Sequence, residues 1–131
     1  IAFDWSVLRD LARRRPDVPS AHLTVPDAMK SRIKRLPNGD SPWADGRDPR
    51  SFGNSELRAI HAHGGREWSP HLSDVTPERV AEAHDLGLAV GVWGVGSAKD
   101  ISAMAALGVE ALTVSGPEWG AGQVAVPGLR A

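Results

Sequence analysis

The sequence predicts an α/β fold in which parallel strands alternate with helices. Strand-like and helix-like segments alternate along the 131 residues, and the connections in the C-terminal half are only a few residues long. The segment LAVGVWGV (88–95) is almost free of polar residues, as expected for a parallel strand buried on both faces. These patterns indicate βαβ units. The units form either an open doubly wound sheet or part of a (β/α)8 barrel.

The first 25 residues are predicted to form a strand near 1–3, a helix, and a second strand at 20–25. Asp4 is a suitable N-cap for a helix that runs from Trp5 to about Arg15. The segment RPDVP (15–19) ends this helix, because proline disfavours α-helical backbone in the residue before it. The apolar residues expected on one helix face are Val7, Leu8 and Leu11.

The middle of the chain is dominated by a long loop. The segment DAMKSRIKRL (27–36) has a helical pattern. Residues 37–54 are dense in Pro, Gly, Asp and Asn, which indicates loop, and long ordered loops are often functional. A short helix, Ser55–His63, is expected to follow.

The C-terminal half has the most regular pattern. Strands are predicted at 66–70, 88–95 and 110–115, the last again buried on both faces. Thr76 caps one helix, with Pro77 at its first position, and Ser97 with Asp100 caps the next. Gly87 and Gly108 end these helices. An irregular tail, 116–131, completes a single predicted domain of residues 1–131 with five strands.

Composition excludes several classes of function. The net charge of -1 argues against a nucleic-acid partner, and the absence of cysteine excludes disulfides and thiolate metal sites. No apolar run reaches the roughly 20 residues of a membrane span. The chain starts at IAFDW without an initiator methionine, so we expect a processed or truncated chain. The compartment stays open, with the cytoplasm slightly favoured.

Four phrases follow one another in the order and spacing of a known family. AFDWSVLRDLARRRPDVPSAHLT resembles a Ser-Phe-Asp strand end with its helix and Pro-Asp-x-Pro turn, and SPWADG followed by FG resembles a loop of one bacterial branch. EWSPHLSDVTPERVAEAHDLGLAVGVWGVG is similar to a unit that usually closes with Trp-Thr-Val-Asn, and ALGVEALTVSGPE to a last strand. The family that these phrases resemble is the glycerophosphodiester phosphodiesterases.

The resemblance implies the C-terminal, five-strand portion of a (β/α)8 barrel. It also implies a phosphoric diester hydrolase that uses Ca²⁺ or Mg²⁺ to release glycerol 3-phosphate. The family's His-Arg-Gly and Glu-x-Asp motifs do not occur in the printed sequence. We therefore assign no catalytic and no metal residue to this chain. The corresponding residues are expected on a missing N-terminal half-barrel or on another chain, or are lost.

The resemblance also implies substrate-binding residues. Trp93 matches the strand-end tryptophan that lines the family's pocket, and Phe3 matches a second apolar wall. For both residues, core packing is the alternative. Trp68 ends another strand, although a core role is the stronger alternative. Trp43 in the long loop is either a lid or a loop anchor. His71, beside the strand end after WSP, is the histidine best placed to reach a pocket.

The strand ends lack polar side chains that the family usually carries. Gly94 stands where threonine is usual, Gly96 where asparagine is usual, and Ser115 where aspartate is usual. This loss indicates either an altered substrate or a degenerate active site. Among the other histidines, His61 and His63 are two residues apart and lie on opposite sides of a helix, so they cannot chelate one metal as an i, i+4 pair could. The role of His22, on a predicted strand, is ambiguous.

Three functions remain open. The first is a glycerophosphodiester phosphodiesterase whose chemistry lies outside this chain. The second is a non-catalytic barrel kept for binding or assembly. The third is a phosphate-binding barrel of another enzyme class, in which TVSG (113–116) holds a phosphate at a helix N-terminus. In each case we expect the chain alone to pair with the missing half, to oligomerise or to be poorly soluble, because its sheet edges are open.

Overall fold

The computed structural model describes residues 1–26 and 44–114, and in these ranges parallel strands alternate with helices. The strands are β1 (His22–Leu23), β2 (Glu67–Ser69), β3 (Ala89–Val95) and β4 (Ala111–Val114). The α-helices are α1 (Trp5–Arg14), α2 (Glu56–Ala62), α3 (Pro77–Asp85) and α4 (Ala98–Ala106). Short 3₁₀ helices cover Pro49–Phe52 and Leu72–Asp74.

The strands lie in the sheet in the same order as in the sequence, β1-β2-β3-β4, and all pairs are parallel. Ala2 extends the sheet beyond β1 through an isolated parallel bridge to His22, where a strand near 1–3 was predicted. A doubly wound sheet contains a point where the strand order reverses, and the described strands contain none. This sequential order is that of an arc of a (β/α)8 barrel, in which each strand pairs with the next along the chain.

The helix starts follow the predicted caps. The side chain of Asp4 accepts a hydrogen bond from the Ser6 N–H at 2.9 Å, and Ser97 Oγ accepts one from the Asp100 N–H at 3.1 Å. Each bond satisfies a backbone donor that the first helical turn leaves without an intrahelical partner. The cap predicted at Thr76 before α3 is also confirmed, and Ser55, predicted as the first residue of a short helix, is the N-cap of α2.

The core lies between the sheet and the helices. Val90, Val92 and Val95 of β3 are at most 1 % exposed and pack against apolar residues of α2, α3 and α4. At about 25 cal/mol per Å², burial of such side chains is the main term that holds the layers together. The helices contribute these buried residues: Trp5, Leu8, Leu57, Ala59, Ile60, Val80, Ala83, Ile101 and Met104.

Two expectations about burial are wrong. Val7 was assigned to the buried face of α1 but is 56 % exposed, and the buried residues of that helix are Trp5 and Leu8. The last strand was expected to be buried on both faces, yet Ala111 and Thr113 of β4 are exposed. The reason is that no described element packs against the barrel side of β4.

Thr24, which follows β1, connects both faces of the sheet. Its hydroxyl oxygen accepts a hydrogen bond from Trp68 Nε1 at 3.0 Å, and its backbone N–H donates to the Ser69 carbonyl at 3.1 Å. Trp68 is fully buried between β2 and α3, where the Arg79 guanidinium lies 4.6 Å from the centre of its ring. The buried indole donor is satisfied by a single residue of the neighbouring strand.

Several predicted features lie outside the described residues. They are the helix at 27–36, the first part of the long loop, Ser115 and the irregular tail. From residue 44 onward the predicted loop contains the 3₁₀ helix Pro49–Phe52. In the described ranges, none of the helices combines the length and the hydropathy that a membrane crossing requires.

We predict that Thr24→Val lowers the free energy of unfolding by about 1–3 kcal/mol. Valine has nearly the same shape, but it leaves the buried Trp68 Nε1–H without an acceptor, and an unsatisfied buried donor costs this much. Chemical denaturation followed by circular dichroism measures the loss. The control is Thr113→Val, the same change at an exposed position of β4. Equal stability of the two variants would contradict the role given to Thr24.

Candidate functional site

Three aromatic side chains meet at the carboxyl ends of the strands. Phe3 follows the Ala2 bridge, His71 follows β2, and Trp93 lies near the end of β3. His71 and Trp93 form an isolated parallel bridge, and the Trp93 N–H donates to the Pro70 carbonyl at 2.9 Å. Active sites of (β/α)8 barrels form at this end of the strands. The group Phe3, His71 and Trp93 is called the aromatic wall below.

The rings of the aromatic wall pack edge to face. The centre of the Trp93 ring lies 6.2 Å from that of Phe3 and 4.7 Å from that of His71, with interplanar angles of 81° and 69°. Edge-to-face contacts at such distances are favourable. All three side chains are partly exposed, so an apolar surface remains open to a ligand.

Trp93 is held in place from the neighbouring strand. Its Nε1–H donates to the Thr24 carbonyl at 3.3 Å. The preceding residue, Val92, is fully buried toward the helices, so Trp93 points to the barrel side of the sheet. Its indole nitrogen is therefore occupied, and only the ring surface is offered to a ligand.

His71 presents one free nitrogen. Its Nδ1 accepts from the backbone N–H of Ser73 at 3.2 Å and lies 2.8 Å from the Ser73 hydroxyl. Because a backbone N–H can only donate, a neutral His71 carries its proton on Nε2. Within the described residues, Nε2 has no hydrogen-bond partner and is not buried.

Gly94 makes room for this histidine. Its φ of +80° lies in the left-handed region, and a Cβ at this position would come within 2.6 Å of His71 Nε2 and 2.5 Å of Cδ2. The register of β3 against β4 shifts between Val92 and Val95, as in a β-bulge. The missing side chain at position 94 thus has a local structural reason, besides the loss of polarity that the sequence indicated.

The structure separates the five predicted site residues. It brings Phe3, His71 and Trp93 together, whereas Trp68 is fully buried on the helix side, which favours its core alternative. Trp43 lies outside the described residues. Whether any of these residues binds substrate stays a prediction.

A polar cluster separate from the aromatic wall lies between the sheet and the helices, and the sequence did not indicate it. His63 Nε2 donates to the Asp45 carboxylate at 2.9 Å, and His63 Nδ1 lies 2.9 Å from Nε2 of His22. Arg9 of α1 forms an ion pair with the same carboxylate. The Trp5 ring packs against both imidazoles, with centres 5.0 and 5.6 Å away. The spacing of these residues in the sequence, 41 positions between the histidines, gives no periodic signal.

Burial and neighbouring charge set the titration of this cluster. Burial, with a smaller contribution from His63, lowers the pKa of His22 from its usual 6.5 to about 4. The hydrogen bond from His63 lowers the pKa of Asp45, and the charge of Arg9 acts in the same direction. Nδ1 of His22 is buried without a partner in the described residues, so a proton there would be unpaired. The surroundings of His22 therefore favour its neutral form over its protonated form.

The described residues do not form a metal site. In ranges 1–26 and 44–114, no three His, Asp or Glu side chains are grouped so that they could hold an ion. Asp74 is 3.8 Å from Arg79, and Glu67 lies at the other end of β2 from the aromatic wall. The use of Ca²⁺ or Mg²⁺, which the resemblance implies, therefore stays a prediction.

The solved structures of similar fold include proteins from three organisms. The chain is 37% identical to a candidate glycerophosphoryl diester phosphodiesterase of Silicibacter pomeroyi DSS-3, with a TM-score of 0.66 over 89% of this chain. Candidate phosphodiesterases of the same kind from Agrobacterium tumefaciens and Galdieria sulphuraria are 19% and 21% identical. Their TM-scores are 0.59 and 0.58, each over 86% of the chain, and at this identity they show the fold alone.

The chain spans little more than a third of these proteins. It covers 34% of the S. pomeroyi protein, 38% of the A. tumefaciens protein and 37% of the G. sulphuraria protein. No protein-family model matches the chain, and no curated protein matches it. The partial-barrel prediction agrees with this coverage.

The His22 cluster predicts that stability falls in acid. His22 has a lower pKa in the folded chain than in the unfolded chain, so the unfolded state binds more protons as the pH falls from 6.5 to 4. The full stability is present above pH 6.5, and roughly 3 kcal/mol is lost by pH 4, at 1.36 kcal/mol per pKa unit. Urea denaturation across this range measures the loss.

Two control variants test whether His22 causes the pH dependence of stability. His22→Gln keeps a side-chain N–H near His63 but does not titrate, so its stability should change less with pH than that of the wild type. His61→Gln alters an exposed histidine of α2 and should retain the wild-type dependence. Identical pH dependence in the wild type and His22→Gln would contradict the assignment.

Proposed function

The chain is a relative of the glycerophosphodiester phosphodiesterases, and we propose that it supplies part of the substrate pocket of such an enzyme. The parent protein would hydrolyse a glycerophosphodiester to glycerol 3-phosphate and an alcohol. The observation that carries the proposal is the aromatic wall, an open apolar surface at the carboxyl ends of the strands. The S. pomeroyi protein, at 37% identity, supports the same class of reaction.

In this proposal the chain binds and orients the substrate, and residues on the rest of the barrel cleave the phosphodiester bond. The carbons of the glycerol moiety pack on the exposed ring surfaces of Phe3 and Trp93, which also exclude water from that side. Trp93 keeps its orientation because its Nε1–H is bound to Thr24. The His-Arg-Gly and Glu-x-Asp motifs of the family are absent from the printed sequence, so the acid, the base and the cation ligands are assigned to a complementary part of the barrel.

A non-catalytic barrel is the second candidate. The glycine at position 94, in place of the family's usual threonine, favours it. In that case the aromatic wall binds a ligand without turning it over. Both candidate functions include a ligand bound at the aromatic wall, and only the first also includes its hydrolysis.

A chimera tests the proposed reaction. The part of the S. pomeroyi protein that this chain does not cover is joined to residues 1–131, so that the barrel is complete. With Ca²⁺ or Mg²⁺ we expect the chimera to release glycerol 3-phosphate from glycerophosphocholine, whereas the chain alone does not. A folded chimera that binds glycerol 3-phosphate without turnover would favour the non-catalytic candidate. Hydrolysis by the chain alone would refute our placement of the chemistry.

In the active chimera, Trp93→Ala should raise KM about tenfold or more, because burial of an aromatic surface against a ligand contributes ~1.5–3 kcal/mol. Trp93→Phe is the matched control. It keeps an aromatic face but loses the bond to Thr24, so its KM should stay closer to that of the wild type. Unchanged KM in Trp93→Ala would contradict a role of this ring in binding.

We also propose that the open sheet needs a partner. The barrel side of β4 is exposed at Ala111 and Thr113, and exposed strands of this kind associate with other strands. In sedimentation experiments we expect the chain alone to self-associate and the chimera to be monomeric. A monodisperse monomeric chain with a cooperative thermal transition would contradict this expectation.

A further inference from the structure

We infer that His71 is a ligand-binding residue, which donates a hydrogen bond from Nε2 to a phosphoryl oxygen of the bound molecule. The inference rests on the proposed function, because it places the phosphoryl group of the substrate beside the aromatic wall. Ser73 is assigned a positioning role, since it acts on the ligand only through His71.

The first argument concerns which polar side chains at the aromatic wall are free to bind a ligand. Thr24 and Ser69 also lie at the strand ends, but both are 4 % exposed. The Thr24 hydroxyl accepts from Trp68, and the Ser69 hydroxyl donates to the Gly91 carbonyl at 2.8 Å. Trp93 Nε1 is bound to Thr24 as well. Among the described side chains that form or adjoin the wall, His71 therefore offers the accessible donor.

The second argument is the tautomer. Ser73 places its backbone N–H against Nδ1 of His71, and this fixes Nδ1 as an acceptor in the neutral ring. The proton is then on Nε2, which has no partner in the part of the chain that the structure describes. A donor whose orientation is set in advance costs little entropy when it binds a ligand.

The third argument is the space made for the ring. The edge of His71 that carries Nε2 lies over Gly94, where a Cβ would come within 2.6 Å of that nitrogen. The ring also packs on Trp93, with centres 4.7 Å apart. The residue is thus held beside the surface proposed for the glycerol carbons. One molecule of glycerol 3-phosphate could contact both.

A phosphoryl oxygen is the best match for this donor. The ring surfaces of Phe3 and Trp93 suit carbon atoms and offer no charge. A hydrogen bond from imidazole to an anionic oxygen is stronger than one to a hydroxyl, and it is strongest when the imidazole is protonated. The ligand chemistry is therefore a phosphate ester whose carbon portion packs on the wall.

Two substitutions separate the nitrogens of His71. In His71→Asn, the side-chain oxygen can still accept from the Ser73 N–H, but nothing replaces Nε2. In His71→Gln, the longer side chain places an amide donor near the position of Nε2. We expect His71→Asn to weaken binding of glycerol 3-phosphate by the 131-residue chain about tenfold or more, the usual effect of losing a hydrogen bond to a charged group. His71→Gln should recover part of this loss.

Binding is followed by NMR titration with glycerol 3-phosphate, inorganic phosphate and glycerol as separate probes. We expect both phosphates to move the ring resonances of His71 and glycerol to leave them in place. Ser73→Ala, which removes the hydroxyl but keeps the backbone N–H on Nδ1, should leave the ring ¹⁵N shifts that report the tautomer nearly unchanged. A response to glycerol alone, equal affinity in the wild type and His71→Asn, or no binding of any probe would overturn the inference.

The hydrolysis assay on the chimera tests the proposed function separately from the role of His71. If the chimera turns over substrate but His71→Asn changes neither its KM nor the affinity for glycerol 3-phosphate, the inference falls and the proposed function stands. If the chimera is inactive but glycerol 3-phosphate still moves the His71 resonances, the inference stands as a property of the non-catalytic candidate.

Discussion

The site depends on Thr24, because this residue joins the two faces of the sheet. Its hydroxyl holds the indole of Trp68 on the helix side, and its carbonyl holds the indole of Trp93 on the barrel side. Its backbone N–H binds Ser69 in the next strand. Each of these groups of Thr24 is a strong hydrogen-bond donor or acceptor. Leaving it unpaired in the buried interior would cost free energy of folding. One residue of the core, Trp68, and one residue of the aromatic wall, Trp93, are therefore held by the same residue.

Local signals in the sequence were enough to predict much of the fold. Asp4, Thr76 and Ser97 cap helices because their side chains accept from backbone N–H groups a few residues away. The apolar run at 88–95 predicts β3 because such a run can be buried within a parallel sheet. The barrel, as opposed to the doubly wound sheet, did not follow from these signals, since both use the same βαβ units. It followed from the resemblance and from the sequential order of strands.

The candidate site was predictable only in part. Trp93, Phe3 and His71 follow strand ends, and the ends of parallel strands meet at one edge of the sheet. The face of Trp68 was less certain, because a shift of one residue turns a side chain to the other face. The contacts among His22, Asp45 and His63 were beyond prediction. They join a strand, a loop and a helix end far apart in sequence, and only the folded chain brings them together.

The close approach of His71 to Gly94 ties two positions of the sequence to each other. A Cβ at position 94 would lie within 2.6 Å of the imidazole ring, so a larger residue there would require His71 to move from its present position. The position of the imidazole ring beside Trp93 therefore depends on which residue stands at position 94, and we expect the residue types at positions 71 and 94 to covary among relatives.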